Sequence, residues 1–177
     1  AVSSQEGFDA KVRETMQQNY DRESDGALNN AIVEKLVNQL DIKLPAEFFK
    51  KWLVRTNAGK LTAEQVEDHY SDYEKELKWS LIRNKVVEKA DLKVSNDEIM
   101  DRTLDKIMGQ FNMPNMPDEM RESMRSYADS FLKQENGKNY VSEYEAILAE
   151  KVLENLRGKV VVTNKPVTAE EFRTLHS

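Results

Sequence analysis

The sequence contains no cysteine and only two histidines, so the side chains that most often serve as nucleophiles and metal ligands are nearly absent. Composition therefore excludes a disulfide framework, a thiolate metal site and a cysteine nucleophile. His69 lies in an acidic segment whose carboxylates fall on different faces of a helix, and His176 is next to the last residue. We predict no catalytic residue, no metal and no cofactor.

Glycine and proline are also scarce, with 6 and 4 residues among 177. The three Gly-Lys pairs, at 59–60, 137–138 and 158–159, lack the upstream glycine and the following Ser or Thr of a phosphate-binding loop. ATP hydrolysis is therefore not expected. Because glycine and proline interrupt helices and the sequence is rich in helix formers, an all-α fold is predicted.

Neither a basic excess nor a long apolar run is present. Lys and Arg number 26 against 32 Asp and Glu, a net charge of −6, which disfavours nucleic acid and membrane surfaces as partners. No stretch reaches the roughly 18 apolar residues of a membrane span, and the first ten residues do not resemble a secretory signal. We expect a cytoplasmic protein, and since residue 1 is alanine we expect a processed chain or an excised fragment.

Apolar residues recur at helical spacing along most of the chain, and three capping-box patterns at 62–65, 95–98 and 168–171 mark helix starts. The sequence predicts a short first helix and then helices over about 24–40, 46–55, 61–90 and 95–111. A partner helix that ends at Gly137, a long helix over about 139–157 and a short final helix follow. Val160 to Thr163 is predicted to be extended. At 1.5 Å per residue the helix over 61–90 would be about 43 Å long, so we expect it to project from the domain.

An internal repeat links residues 32–44 to 82–94. Five residues are identical at an offset of 50, and a weaker third copy begins near residue 150. We interpret the repeat as duplicated units of helix, extended link and capped helix that form successive arms. The alternative that capped helices simply resemble one another stays open.

Methionine is concentrated in the predicted hairpin over 96–135, which carries six of the seven methionines within 25 residues. Flexible, polarizable thioether side chains can repack against many apolar partners, as promiscuous binding requires. The alternative is that these residues pack the hairpin itself. Four other large side chains, Phe48, Phe49, Trp52 and Trp79, are expected to lie in the core.

Several segments, in this order and spacing, resemble the C-terminal, substrate-holding domain of the bacterial trigger factor family over nearly the full chain. They are SQEGFDAKVRETMQQNY and AIVEKLVNQLDIKLPAEFF near the start, LIRNKVVEKADLKVSNDEI in the middle and VLENLRGKVVVTNKPVTAEEF near the end. The resemblance implies one all-helical chaperone domain over 1–177, with a first arm over about 46–90, a second over about 96–135, and a closing helix and tail over 139–177.

The same resemblance implies an ATP-independent chaperone that holds unfolded or nascent polypeptides in an apolar cradle and limits their aggregation. The implied client-binding residues are Leu53, Leu61 and Val66 in the first arm and Phe111, Met113, Met116, Met120 and Met124 in the second. The family's ribosome-docking and prolyl-isomerase domains have no counterpart in this sequence, so ribosome binding and enzymatic activity are not expected of it. The alternative is a structural helical module that docks one folded partner or associates with itself.

Overall fold

All regular secondary structure in the described part of the chain is α-helical. The structure, a computed structural model, describes residues 4–57, 59–110 and 118–175, with no account of the side chains at 118–121, 173 and 175. The helices in this part of the chain are α1 Gln5–Gln39, α2 Ala46–Thr56, α3 Ala63–Asp68, α4 Tyr70–Ala90, α5 Asn96–Gln110, α6 Asp118–Arg157 and α7 Ala169–Leu175. The all-α prediction is confirmed.

The predicted capping boxes are formed. At the start of α3 the Gln65 N–H donates to Thr62 Oγ1 at 3.2 Å, and the Thr62 N–H donates to Gln65 Oε1 at 3.0 Å. The same reciprocal pair is formed at residues 95–98 and at 168–171. Each pair satisfies two N–H groups that the first turn of a helix leaves without an intrahelical acceptor, so the sequence pattern fixes where these helices begin.

Two helix boundaries differ from the prediction. The short first helix and the helix over 24–40 are one continuous helix, α1, because the polar segment between their apolar stripes contains good helix formers and no proline. The helix over 61–90 is divided at His69, whose φ of −108° and ψ of 13° end α3 and begin α4.

The predicted break near Gly137 is confirmed inside α6. Glu135, Asn136 and Gly137 all have positive φ, at 50°, 58° and 81°, so the helix is divided into a first half before residue 134 and a second half after 137. Glycine adopts this left-handed conformation freely and asparagine tolerates it. The Asn139 side chain donates to the Phe131 carbonyl oxygen at 2.9 Å across the break.

The centre of the molecule, which we call the body, is formed by α1, the end of α4 and the second half of α6. Its buried residues are Ile32 on α1 and Val152 and Leu156 on α6. Half-buried side chains from α1, α4 and the link after α4 pack against them: Leu28, Leu36, Trp79, Val86, Val87 and Leu92. The expectation that Trp79 belongs to the core therefore fits its position.

The second apolar cluster holds α2, α3 and the start of α4 together. Phe49, Leu53 and Val66 are its buried residues. Half-buried residues that pack around them are Val54, Leu61, Tyr70, Tyr73 and Leu77. This group corresponds to the first predicted arm, and α4 joins it to the body.

The third group is α5 packed along both halves of α6. Leu104 and Ile107 pack on Ala128 of the first half. Ile99 packs on Leu132 and, beyond the break, on Ile147 of the second half. The helix α5 therefore contacts α6 on both sides of the break at residues 134–137.

An ion-pair network fixes α5 on the second half of α6. Glu143, only 7% exposed, accepts from Arg102 Nε at 3.1 Å and from Lys106 Nζ at 2.6 Å. Arg102 also bridges to Glu150. A carboxylate this well buried would be costly without such partners, so the network selects one register between the two helices.

The chain after α6 returns along α1. Residues 161–168 form neither helix nor strand, whereas Val160 lies in a bend in which its N–H donates to the Arg157 carbonyl oxygen at 3.4 Å. The extended conformation expected from Val160 to Thr163 stays a prediction. The rings of Phe172 on α7 and Tyr20 on α1 meet edge to face, with centroids 5.5 Å apart. Arg157 at the end of α6 donates to Asn29 and to Asp25 on α1 and so anchors the start of this tail.

The accessible surface is far larger than that of a compact protein of this mass. It measures 13618 Å², whereas a compact monomer of this size exposes about 8,900 Å². The three clusters are therefore separate small cores, and much of each helix faces solvent.

We expect Leu104→Ala to lower the free energy of unfolding by about 2–5 kcal/mol, because it removes a fully buried side chain from a core that few other residues can refill. Urea denaturation followed by circular dichroism would measure the change. Val141→Ala, at a side chain that is 58% exposed, is the control and should change stability by less than about 0.5 kcal/mol. Equal effects of the two substitutions would contradict the assigned core.

Acidification should weaken the start of α5. Glu98 accepts from Lys151, from the Ser95 N–H and from the Ser95 hydroxyl, which lowers its pKa from 4.5 to about 2. Since the carboxylate pKa is lower in the folded state, its contribution to stability is present above about pH 4.5 and is lost as pH falls to about 2. Glu98→Gln should therefore destabilise the protein near neutral pH and make progressively less difference across that window in urea titrations. A pH-independent difference would contradict this assignment.

Candidate functional site

Exposed apolar side chains occur in groups along the described chain. Among the described residues thirteen large apolar side chains are exposed: Phe8, Val12 and Met16 on α1, Phe48 and Trp52 on α2, Leu40 and Leu81 beside the body, Tyr127 on the first half of α6, Tyr140 and Val141 on its second half, and Val160, Val161 and Val162 in the tail. Single exposed apolar residues are ordinary on protein surfaces, whereas groups of them mark interaction sites.

The group on α2, which we call the α2 patch, follows from the sequence of that helix. Phe48 and Trp52 are four residues apart and share one face, while Phe49 and Leu53 form the adjacent stripe. The short helices of this arm cover only the second stripe. Phe48 therefore remains 67% exposed and Trp52 47% exposed.

The α2 patch is held rigidly. The Phe49 and Trp52 rings are nearly parallel, 19° apart, with their centroids separated by 6.0 Å. Lys50 Nζ donates to Glu67 on α3 at 2.8 Å and lies 4.7 Å from the centroid of the Tyr70 ring. The hydrogen bond to Glu67 raises the pKa of Lys50 above its ordinary value. These contacts tie α2 to α3 and α4 and keep the exposed rings in place.

The structure places several residues of this segment differently from our expectations. Leu53 and Val66, expected to contact a client, are 7% and 1% exposed, because they form the contact between α2 and α3. Leu61 is half-buried against the same cluster. Phe48 and Trp52, expected in the core, are instead the accessible residues. The signal that could have identified them is the presence of two apolar stripes on a helix too short to bury both.

The methionines of the second arm divide into two sets. Met108 is 5% exposed, and Met100 and Met124 pack partly buried against the Leu104 cluster, so these three help to build the arm. Phe111, Met113 and Met116 lie outside the described residues, as does the side chain of Met120. Their role as a binding surface stays a prediction.

A concave apolar surface lies between the end of α1, α4 and the end of α6. We call it the body groove, and its volume is about 500 Å³, within the range of ligand-binding clefts. It is lined by the apolar side chains Leu36, Leu40, Ile42, Leu81, Ile82, Val86 and Leu156 and by the lysines Lys85, Lys89 and Lys159. No short sequence motif marks this groove, because its residues come from three segments that are far apart in the chain.

The described residues offer no arrangement of His, Asp and Glu that could hold a metal ion. Within the same part of the chain, no helix is both long and apolar enough to cross a membrane. The described helices instead present exposed apolar side chains, which can bind another polypeptide without any catalytic step.

Comparison with known proteins gives two findings. The family described as probable trigger factor, C-terminal domain, matches residues 24–176. Trigger factor from Salinibacter ruber (strain DSM 13855 / M31) is 27% identical over 106 residues, which cover 53% of this chain and 23% of that protein. No solved structure shows significant similarity. The family match spans most of the chain and confirms the resemblance drawn from the sequence: the chain belongs to the trigger factor C-terminal domain family.

Proposed function

We propose that this chain is a chaperone domain that holds unfolded or nascent polypeptides without ATP and limits their aggregation. The observation that carries the proposal is the dispersal of exposed apolar side chains over separate, rigid helical groups. A client would bind through several short apolar segments, each contacting a different group. The family to which the chain belongs supports the same function.

The expected contact free energies fit weak binding at several places on the surface. Covering one exposed Phe or Leu side chain contributes roughly 1.5–3 kcal/mol. A micromolar complex has a binding free energy of about 8.2 kcal/mol. One patch of two such residues supplies only a fraction of this free energy, because association also costs entropy. Two or three patches that act on one flexible client raise the overall affinity through effective concentration. Release remains fast, since each contact breaks independently.

The proposal includes a cytoplasmic location and excludes a direct role for this chain in ribosome docking or prolyl isomerisation. The chain spans 23% of the length of the curated relative that it matches. The matched family is the C-terminal domain. In a longer protein, ribosome contact and isomerase activity would belong to other domains.

The first test is aggregation of a refolding client. With a stoichiometric excess of this chain and without nucleotide, light scattering from a denatured client diluted into buffer should rise more slowly, because client segments are covered before they meet each other. At least two clients of unrelated sequence should be protected. Protection of a single client, or a stable self-associated species that protects none, would instead favour the helical module that docks one partner or itself.

The second test separates the α2 patch from the core beneath it. Phe48→Ser with Trp52→Ser should weaken client binding at least tenfold and leave the urea midpoint nearly unchanged, because the two side chains together contribute more than the roughly 1.4 kcal/mol of a tenfold change in affinity. Fluorescence anisotropy of a labelled unfolded client would measure the affinity. Phe49→Ser, one residue away but 9% exposed, is the matched control and should destabilise the arm. Unchanged affinity in the double variant would remove the α2 patch from the proposed site.

A further inference from the structure

We propose that the body groove binds client segments in which acidic residues flank apolar ones. This inference rests on the proposed function and specifies the class of segment that one of its surfaces takes. It follows from the charge of the rim, the apolar floor and the distribution of charge over the rest of the molecule.

The rim of the groove carries one sign of charge. Its lining includes Lys85, Lys89 and Lys159 and no carboxylate. By contrast, the groove on the other side of the body, between α1 and the second half of α6, is lined by Arg22, Asp25, Glu150, Glu154 and Arg157 and mixes both signs. The body groove is therefore a local basic site on a chain whose net charge is −6.

Little of this positive charge is neutralised by neighbours. Lys85 Nζ forms an ion pair with Glu88 at 2.7 Å. Together with the more distant Lys89, it lowers the pKa of the Glu88 carboxyl. Glu88 is one carboxylate against three lysines, and neither Lys89 nor Lys159 forms an ion pair with another described residue. The charges of Lys89 and Lys159 are therefore available to pair with carboxylates of a bound segment.

The floor beneath these lysines is accessible. Leu40 is 45% exposed and Leu81 is 43% exposed, and Ile82 and Leu156 lie buried behind them. A client leucine or valine that covers the two exposed leucines would leave its flanking residues near the lysines. Carboxylates at those flanking positions would be attracted, and ammonium groups would be repelled.

Because the protein carries a net negative charge, this groove can bind segments that the rest of the surface repels. An acidic protein repels acidic segments over most of its surface, so apolar stretches with acidic flanks would otherwise be its poorest clients. In the body groove the lysines attract acidic flanking residues, so acidic segments are not repelled there. The groove extends the range of clients that an acidic chaperone can hold.

The test compares three labelled ten-residue peptides with the same Leu- and Val-rich centre and with two flanking Glu, two Gln or two Lys. In low-salt buffer the Glu peptide should bind about threefold to tenfold more tightly than the Gln peptide, and the Lys peptide more weakly, since each exposed ion pair contributes modestly. The differences should nearly disappear in about 0.5 M salt, where exposed charges are screened.

Substitution of the rim lysines tests whether the peptides bind in the body groove. Lys89→Gln with Lys159→Gln should abolish the preference for the Glu peptide and leave binding of the Gln peptide unchanged. Lys60→Gln with Lys165→Gln removes the same charge from exposed positions away from the groove and should retain the preference. Leu40→Ser with Leu81→Ser should weaken binding of all three peptides.

The outcomes separate this inference from the proposed function. Equal binding of the three peptides by the unsubstituted protein would overturn the preference and leave the holding function intact. Failure to bind any peptide, together with failure to slow aggregation, would overturn both. A dimer that dissociates on Lys89→Gln with Lys159→Gln would assign the groove to a second copy of the chain and overturn the inference.

Discussion

The structure depends on the contact that α1 and the second half of α6 make around Ile32, Val152 and Leu156. These helices belong to distant parts of the chain, and α4 packs against them where it leaves the first arm. The helix α4 connects this body to α2 and α3, and the second half of α6 connects it to α5. The α2–α3 group and the α5–α6 group each have small clusters of their own, so much of each helix can face solvent while the central contact is kept.

Local features of the fold could be predicted from the sequence with good accuracy. Capping boxes, helical spacing and the break at Gly137 depend on neighbouring residues, and these features appear where the sequence places them. The bend at His69 was missed, because no Gly or Pro marks it and tertiary packing determines it. The continuity of α1 was missed because its polar middle suggested a boundary, although nothing there interrupts a helix.

The candidate site was harder to predict, for a different reason. Periodicity shows that a residue lies on an apolar face but not whether another element covers that face. On α2, Phe48 and Phe49 are equally apolar neighbours, and only the position of α3 decides that Phe49 is buried and Phe48 exposed. The body groove needs residues from three separate segments, and no short motif describes such a set. Leu53 and Val66 illustrate the opposite error, since residues placed by resemblance within an arm belong to its core.

The break at residues 134–137 of α6 lets a single helix, α5, pack against both of its halves. Ile99 packs on Leu132 before the break and on Ile147 beyond it. A change in the angle between the two halves would separate Ile99 from one of these two side chains. Contact with α5 therefore holds the angle at the break fixed, although no regular helix continues through residues 134–137.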